Sequence, residues 1–117
     1  MKKLLAILTA TLLCLSMLVC PALAESETYT IGICQLVQHP ALDAATQGFK
    51  DALTEKLGDA VSFDEQNASG DSATCITIVN SFISSEVDLI MANATPALQA
   101  AQALVATEAT SLESAKA

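Results

Sequence analysis

His39 and Asp43 stand four residues apart, a spacing that places two side chains on one face of a helix. His39 is the single histidine of the chain and lies in Q-L-V-Q-H-P-A-L-D-A-A, residues 35–45. Acid–base chemistry would need a nucleophile or a metal within reach of that pair, and the neighbouring residues supply neither. Cys34 and Cys75 are the other reactive side chains, and with His39 they have no recognisable metal-ligand spacing. They read as small buried apolar residues or as the two ends of a bridge. Gly32 and Gly48 stand alone, so there is no glycine-rich phosphate loop, and neither a nucleophile elbow nor a zinc pattern occurs. The residues therefore argue against an enzyme, and no metal or cofactor is expected.

The remaining chemistry depends on which elements carry these residues. Met1-Lys2-Lys3 followed by the apolar run 4–19 has the form of a secretory signal, and Ala22-Leu23-Ala24 has the small-residue form of a cleavage site after Ala24. The run is short for a membrane span, which needs about 20 apolar residues. A lipid anchor on Cys20 is the competing reading, disfavoured by the β-branched Val19 before it. An extracytoplasmic location follows, with Cys14 and Cys20 leaving with the signal. Without Lys2 and Lys3 the formal net charge of −8 becomes −10, with Lys50, Lys56 and Lys116 facing thirteen acids. That balance excludes nucleic acid as a partner, because phosphate neutralisation needs a basic face.

Residues 25–117 suffice for one small domain and are too few for two. Residues 29–36 (YTIGICQL) carry β-formers on one face and apolar or tiny residues on the other, the pattern of a central parallel strand. Leu42, Ala45, Phe49, Leu53 and Leu57 then recur three or four apart and Gly58 follows, which predicts an amphipathic helix over 40–57. The pattern repeats: a short strand at Val61-Ser62-Phe63, a loop through residues 64–67, and a helix capped by Asp71 with Cys75, Ile76, Val79, Phe82 and Ile83 on its apolar face. A third strand is expected at 87–92, and a third helix with Thr95 as N-cap and Pro96 in first position, running to about Thr107. Residues 25–106 then form the domain, and 107–117 a divergent, poorly ordered tail.

Three strand-then-helix units require a parallel sheet with right-handed crossovers. The expected fold class is α/β, a partial doubly wound sheet in strand order 2-1-3. Ligands of such sheets bind beyond the carboxyl ends of the strands, where neighbouring strands diverge. The residues delivered there are Gln35, His39, Pro40 and Ala41 from the first loop and Ala94, Thr95 and Pro96 from the third, with Gln66 and Asn67 at the margin. Helix N-termini at this end favour an anionic group such as a carboxylate. Each residue also has a purely structural reading: His39, Pro40 and Thr95 as helix starts, Gln35 as a strand end. The apolar third strand would be left as an open edge, and a small secreted module pairing through that edge is the alternative function.

Three stretches carry a resemblance: Y-T-I-G-I-C-Q-L-V-Q-H-P-A-L-D-A-A-T-Q-G-F-K-D-A-L, then N-A-S-G-D, then V-D-L-I-M-A-N-A-T-P-A-L-Q-A-A. Together they resemble the N-terminal part of ABC transporter substrate-binding proteins of the tryptophan/tyrosine type, over about residues 28–102. The resemblance implies the first lobe of a class I periplasmic-binding-protein-like fold. It implies a small solute as ligand, an amino acid by kinship, and an ABC permease with its ATPase as partner. It places Gln35, His39, Pro40, Ala41, Ala94, Thr95 and Pro96 in half of a solute cleft. The hinge and second lobe are not within these residues, so the resemblance implies a fragment of the family's architecture with weak binding or none.

Overall fold

The structure is a computed structural model and describes residues 27–116, so the expected signal segment and Cys20 lie outside the described residues. Strand β1 spans Tyr29–Gln35, helix α1 Pro40–Leu57, strand β2 Val61–Asn67, helix α2 Ser72–Ser84, strand β3 Leu89–Asn93 and helix α3 Thr95–Lys116. A single 3-10 turn at Gly58–Ala60 joins α1 to β2. The sheet is parallel in the order β2-β1-β3, with Ile31 opposite Phe63 on one side and Leu89 on the other.

β1 is central because it is apolar on both faces. Ile31, Ile33 and Gln35 point toward α1, and the alternate residues Gly32 and Cys34 point toward α2 and α3. The main core lies on that second face, where Cys34, Cys75, Ile78, Val79, Phe82, Ala97 and Ala100 form one buried cluster. Gly32 is a packing requirement: a Cβ there would lie 2.7 Å from the Phe82 ring. Cys34 and Cys75 are both buried free thiols. Burial pushes the Cys34 thiol up to about 12, and the adjacent Cys75 adds to that shift, so the thiol stays protonated and unreactive while the fold is intact.

α1 begins and ends where the sequence places it. Pro40 holds its first position and Gly58, at φ 56, closes it with an N–H to the Thr54 carbonyl. Its apolar stripe is only partly covered, since Leu42, Phe49 and Leu53 are half-buried and Leu57 and Ala45 exposed. A sheet three strands wide is too narrow to cover it.

Four expectations about the elements need correction. Residues 64–67, expected as a loop, continue β2, because each pairs in register with β1 and the strand lies at an edge where polar side chains face water. On α2 the buried face is Cys75, Ile78, Val79 and Phe82, and Ile76 is exposed. Val87 is not in β3. Its N–H bonds to the Phe82 carbonyl, and that of Glu86, at φ 53, bonds to Ile83, so both residues close α2 in a Schellman motif. α3 runs past Thr107 to Lys116, making the expected tail part of a helix.

Gly32→Ala is expected to destabilise the fold by about 1–3 kcal/mol through overpacking against Phe82. Urea denaturation measures it, and the loss should shrink when the same change is made in a Phe82→Leu background.

Candidate functional site

The carboxyl ends of β1 and β3 meet at Gln35 and Asn93, which pair across the sheet. Both are buried, and so is Thr46 on α1. A polar side chain in such a place must be fully hydrogen-bonded. The Gln35 amide donates to the Val37 carbonyl at 3.0 Å and to Asp43 Oδ1 at 2.6 Å, and its Oε1 accepts from the Thr46 hydroxyl at 2.7 Å. Asn93 Nδ2 reaches the Thr46 hydroxyl and the Leu42 carbonyl, each at 2.9 Å. Among the described residues no buried side-chain polar atom lacks a partner.

Backbone bonds extend this junction into the loops. Leu36 N–H donates to the Asn93 carbonyl at 3.2 Å, joining the first loop to the third. Ala68 and Gly70 donate to the Gln35 and Leu36 carbonyls at 2.8 and 2.7 Å, joining the second loop to the first. Ser69, at φ 55, and Gly70, at φ 86, make the turn that allows this. The three loops are therefore one connected rim.

Three helices start on that rim, and their first turns are satisfied differently. His39 precedes α1 in extended conformation and its Nδ1 accepts from Ala41 N–H at 3.2 Å, so in the neutral ring the proton sits on Nε2. Asp71 caps α2, accepting from the Ala73 and Thr74 N–H groups at 3.1 Å each and from the Thr74 hydroxyl at 2.6 Å. α3 differs. Thr95 is already within the helix, and the residue before it is Ala94, whose methyl cannot accept a hydrogen bond. Ala94 adopts φ 97, a left-handed conformation that alanine rarely enters and that stores strain beside the rim.

The rim thus gathers all seven residues singled out in the sequence, in two kinds of position. Gln35 is buried with its amide committed to the junction, while His39, Pro40, Ala41 and Thr95 are exposed and Ala94 and Pro96 half-buried. His39 and Asp43 do not form a pair: the imidazole turns to its own helix and the carboxylate to Gln35. Thr95 is not the N-cap, because the helix starts one residue earlier than the Thr-Pro pattern suggests. The sequence reading missed Thr46 and Asn93. Thr46 falls four residues before Lys50 on a helix whose stripe was counted in apolar residues, so a buried hydroxyl left no mark in it.

The residues on this rim lie within a longer match. The family model of the ABC transporter substrate binding protein matches residues 30–111. The chain belongs to the ABC transporter substrate-binding protein family. The match continues past Gln102, where the likeness was expected to stop, and includes most of α3. A tyrosine-binding protein of Clostridioides difficile is 49% identical over 74 residues, which are 61% of this chain and 21% of the relative. Among solved structures, the ligand-free, open form of a substrate binding protein with adhesive properties from Clostridium difficile superposes with a TM-score of 0.60 at 45% identity. That likeness covers 63% of this chain and 26% of the other. The chain spans about a quarter or less of the length of these relatives.

Two measurements test the rim. Thr46→Val removes a hydroxyl without changing volume and leaves Gln35 Oε1 and Asn93 Nδ2 short of a partner, so urea denaturation should show a loss of about 1–3 kcal/mol. For Asp71, the Thr74 hydroxyl and then the Ala73 N–H hold the carboxyl below the ordinary carboxylate value. A depressed folded value contributes stability above the unfolded value of about 3.9, lost as pH falls through the folded one. Asp71→Asn keeps a cap but does not titrate there, so the midpoint advantage of the native chain over this variant should shrink as the pH is lowered below about 4.

Proposed function

We propose that the chain is part of an extracytoplasmic solute-binding protein of an ABC importer, and that its rim takes the carboxylate of an amino acid. The observation that carries this is the start of α3. Of the three helices on the rim, α1 and α2 have side-chain acceptors in their first turns and α3 follows an alanine, so an outside anion has a vacant role to fill there. In this reading the backbone N–H groups of Ala94 and Thr95 and the Thr95 hydroxyl hold the carboxylate, and Pro96, which has no N–H to donate, fixes the start of the helix beside them. His39, Pro40 and Ala41 form the facing loop, and Gln35 positions both. An aromatic amino acid is favoured because the tyrosine-binding relative is 49% identical over 74 residues.

Residues 25–106 in this reading act as part of a first lobe, and the importer's permease is the partner of the whole protein. One sheet end makes one wall. A solute held against one wall keeps much of its surface in water, so the affinity of these residues alone is weak.

The test is a titration of the 15N-labelled chain with L-tyrosine and L-phenylalanine at high ligand concentration. Amide signals of Ala94, Thr95 and Ala97 should shift most, followed by those of Leu36 to His39 and Ala41, and L-tyrosine amide, which lacks the carboxylate, should shift Ala94, Thr95 and Ala97 far less. Equal shifts from acid and amide, or none at either loop, would overturn the proposal.

A further inference from the structure

Cys34 and Cys75 take no part in the hydrogen-bonded rim, and both are wholly buried. Cys34 shares a face of β1 with Gly32, and Cys75 lies about two turns before Phe82 on the buried face of α2. A Cβ on Gly32 would lie 2.7 Å from the Phe82 ring, so α2 crosses that face of β1 at close range. A crossover helix between parallel strands runs back along the sheet, which sets the early residues of α2 opposite the later residues of β1. Cys34 and Cys75 therefore face each other, and their thiols are in hydrogen-bond contact. Among the described residues no third histidine, cysteine or carboxylate joins them in a metal-binding group.

As small apolar residues the two cysteines fill space that alanine or valine could also fill. As two sulfurs in contact they can be joined, and the structure holds the reduced form of the pair. ABC transporter substrate-binding proteins are extracytoplasmic, and disulfides persist outside the cytoplasm. A bridge between these positions encloses residues 35–74, which include α1 and β2. Closing a loop of that length removes much freedom from the unfolded chain and little from the folded one, where the two residues already meet.

We propose that Cys34 and Cys75 are an oxidation site, joined into a disulfide that ties the central strand to α2 and closed by a disulfide-bearing oxidant while the chain folds. One cysteine thiolate attacks the oxidant's disulfide, which forms a mixed disulfide and expels one thiolate of the oxidant. The second cysteine thiolate then attacks the first cysteine's sulfur and expels the other. Two S–H bonds are lost and one S–S bond forms, while two electrons and two protons pass to the oxidant, whose disulfide becomes two thiols. Burial sets the timing. In the finished fold no oxidant reaches either sulfur, and burial holds the Cys34 thiol protonated, so exchange belongs to the folding chain. Once closed, the bridge is sealed from reductants by the same burial.

The test uses the full chain carrying Cys14→Ser and Cys20→Ser, which leaves Cys34 and Cys75 as its only thiols. Unfolded in urea and refolded in a mixture of reduced and oxidised glutathione, the chain should lose about 2 Da, the mass of the two hydrogens given up. Trypsin should then release residues 4–50 and 57–116 as one species that separates on reduction. Urea denaturation should show an unfolding constant about a hundredfold smaller for the bridged chain than for the reduced one. In native buffer the bridge should resist reduced glutathione, and the folded reduced chain should resist oxidised glutathione, each reacting only as fast as the chain opens. Refolded monomer that keeps two free thiols or carries two glutathiones would overturn the proposal. So would a bridge that leaves the urea midpoint unchanged or lowers it, or one that glutathione reduces as fast in the folded chain as in urea.

Discussion

Gln35 brings a primary amide into the most buried strand of the sheet, and the residues around the carboxyl end of that strand are arranged to satisfy it. Unpaired, such a group costs about 1–3 kcal/mol, a large share of what a domain this small has in total. Its partners come from three elements: Thr46 and Asp43 on α1, Asn93 at the end of β3, and the Val37 carbonyl of its own loop. Meeting that need fixes the rotation of α1 about its axis and the register of β3 against β1. Because Leu36, Ala68 and Gly70 bond into the same corner, the loops inherit that geometry.

The same corner explains how a strained residue persists beside it. Asn93 is held from both its side chain and its carbonyl, and Ala94 must turn directly from it into α3. Holding Asn93 in place and starting a helix two residues later leaves Ala94 a left-handed conformation. An alanine there cannot cap the helix. Strain and a vacant cap thus coincide at one point on the rim, whereas His39 and Asp71 close the other two helix starts.

The two edges of the sheet are unlike. β2 presents Ser62, Asp64 and Glu65 to water, with Lys50 on Glu65 at 2.9 Å, which is how a permanent edge is protected. β3 is short and apolar on both faces, and α1 and α3 each extend apolar residues past it. An edge of that composition is built to be covered.

Much of this was legible in the sequence, for identifiable reasons. Strand order followed from three βα units and the apolar character of residues 29–35, since only a central strand is buried on both faces. The bounds of α1 followed from Pro40 and Gly58, whose backbone preferences act locally. Asp71 as a cap is local in the same way. What local pattern did not disclose was set by tertiary contact. Polar residues 64–67 became strand because β1 offered them a ladder, and Val87 went to the end of α2 because Glu86 took a left-handed turn that glycine usually marks. Thr46 and Asn93 joined the buried junction because Gln35, eleven and fifty-eight positions away, needed partners. The sequence by itself determined which loops would gather at the carboxyl end of the sheet, because chain direction and crossover handedness are local rules. Only the tertiary structure decided which of those loops is closed by its own side chains and which is left open, because hydrogen-bond satisfaction depends on groups that meet only in the folded chain.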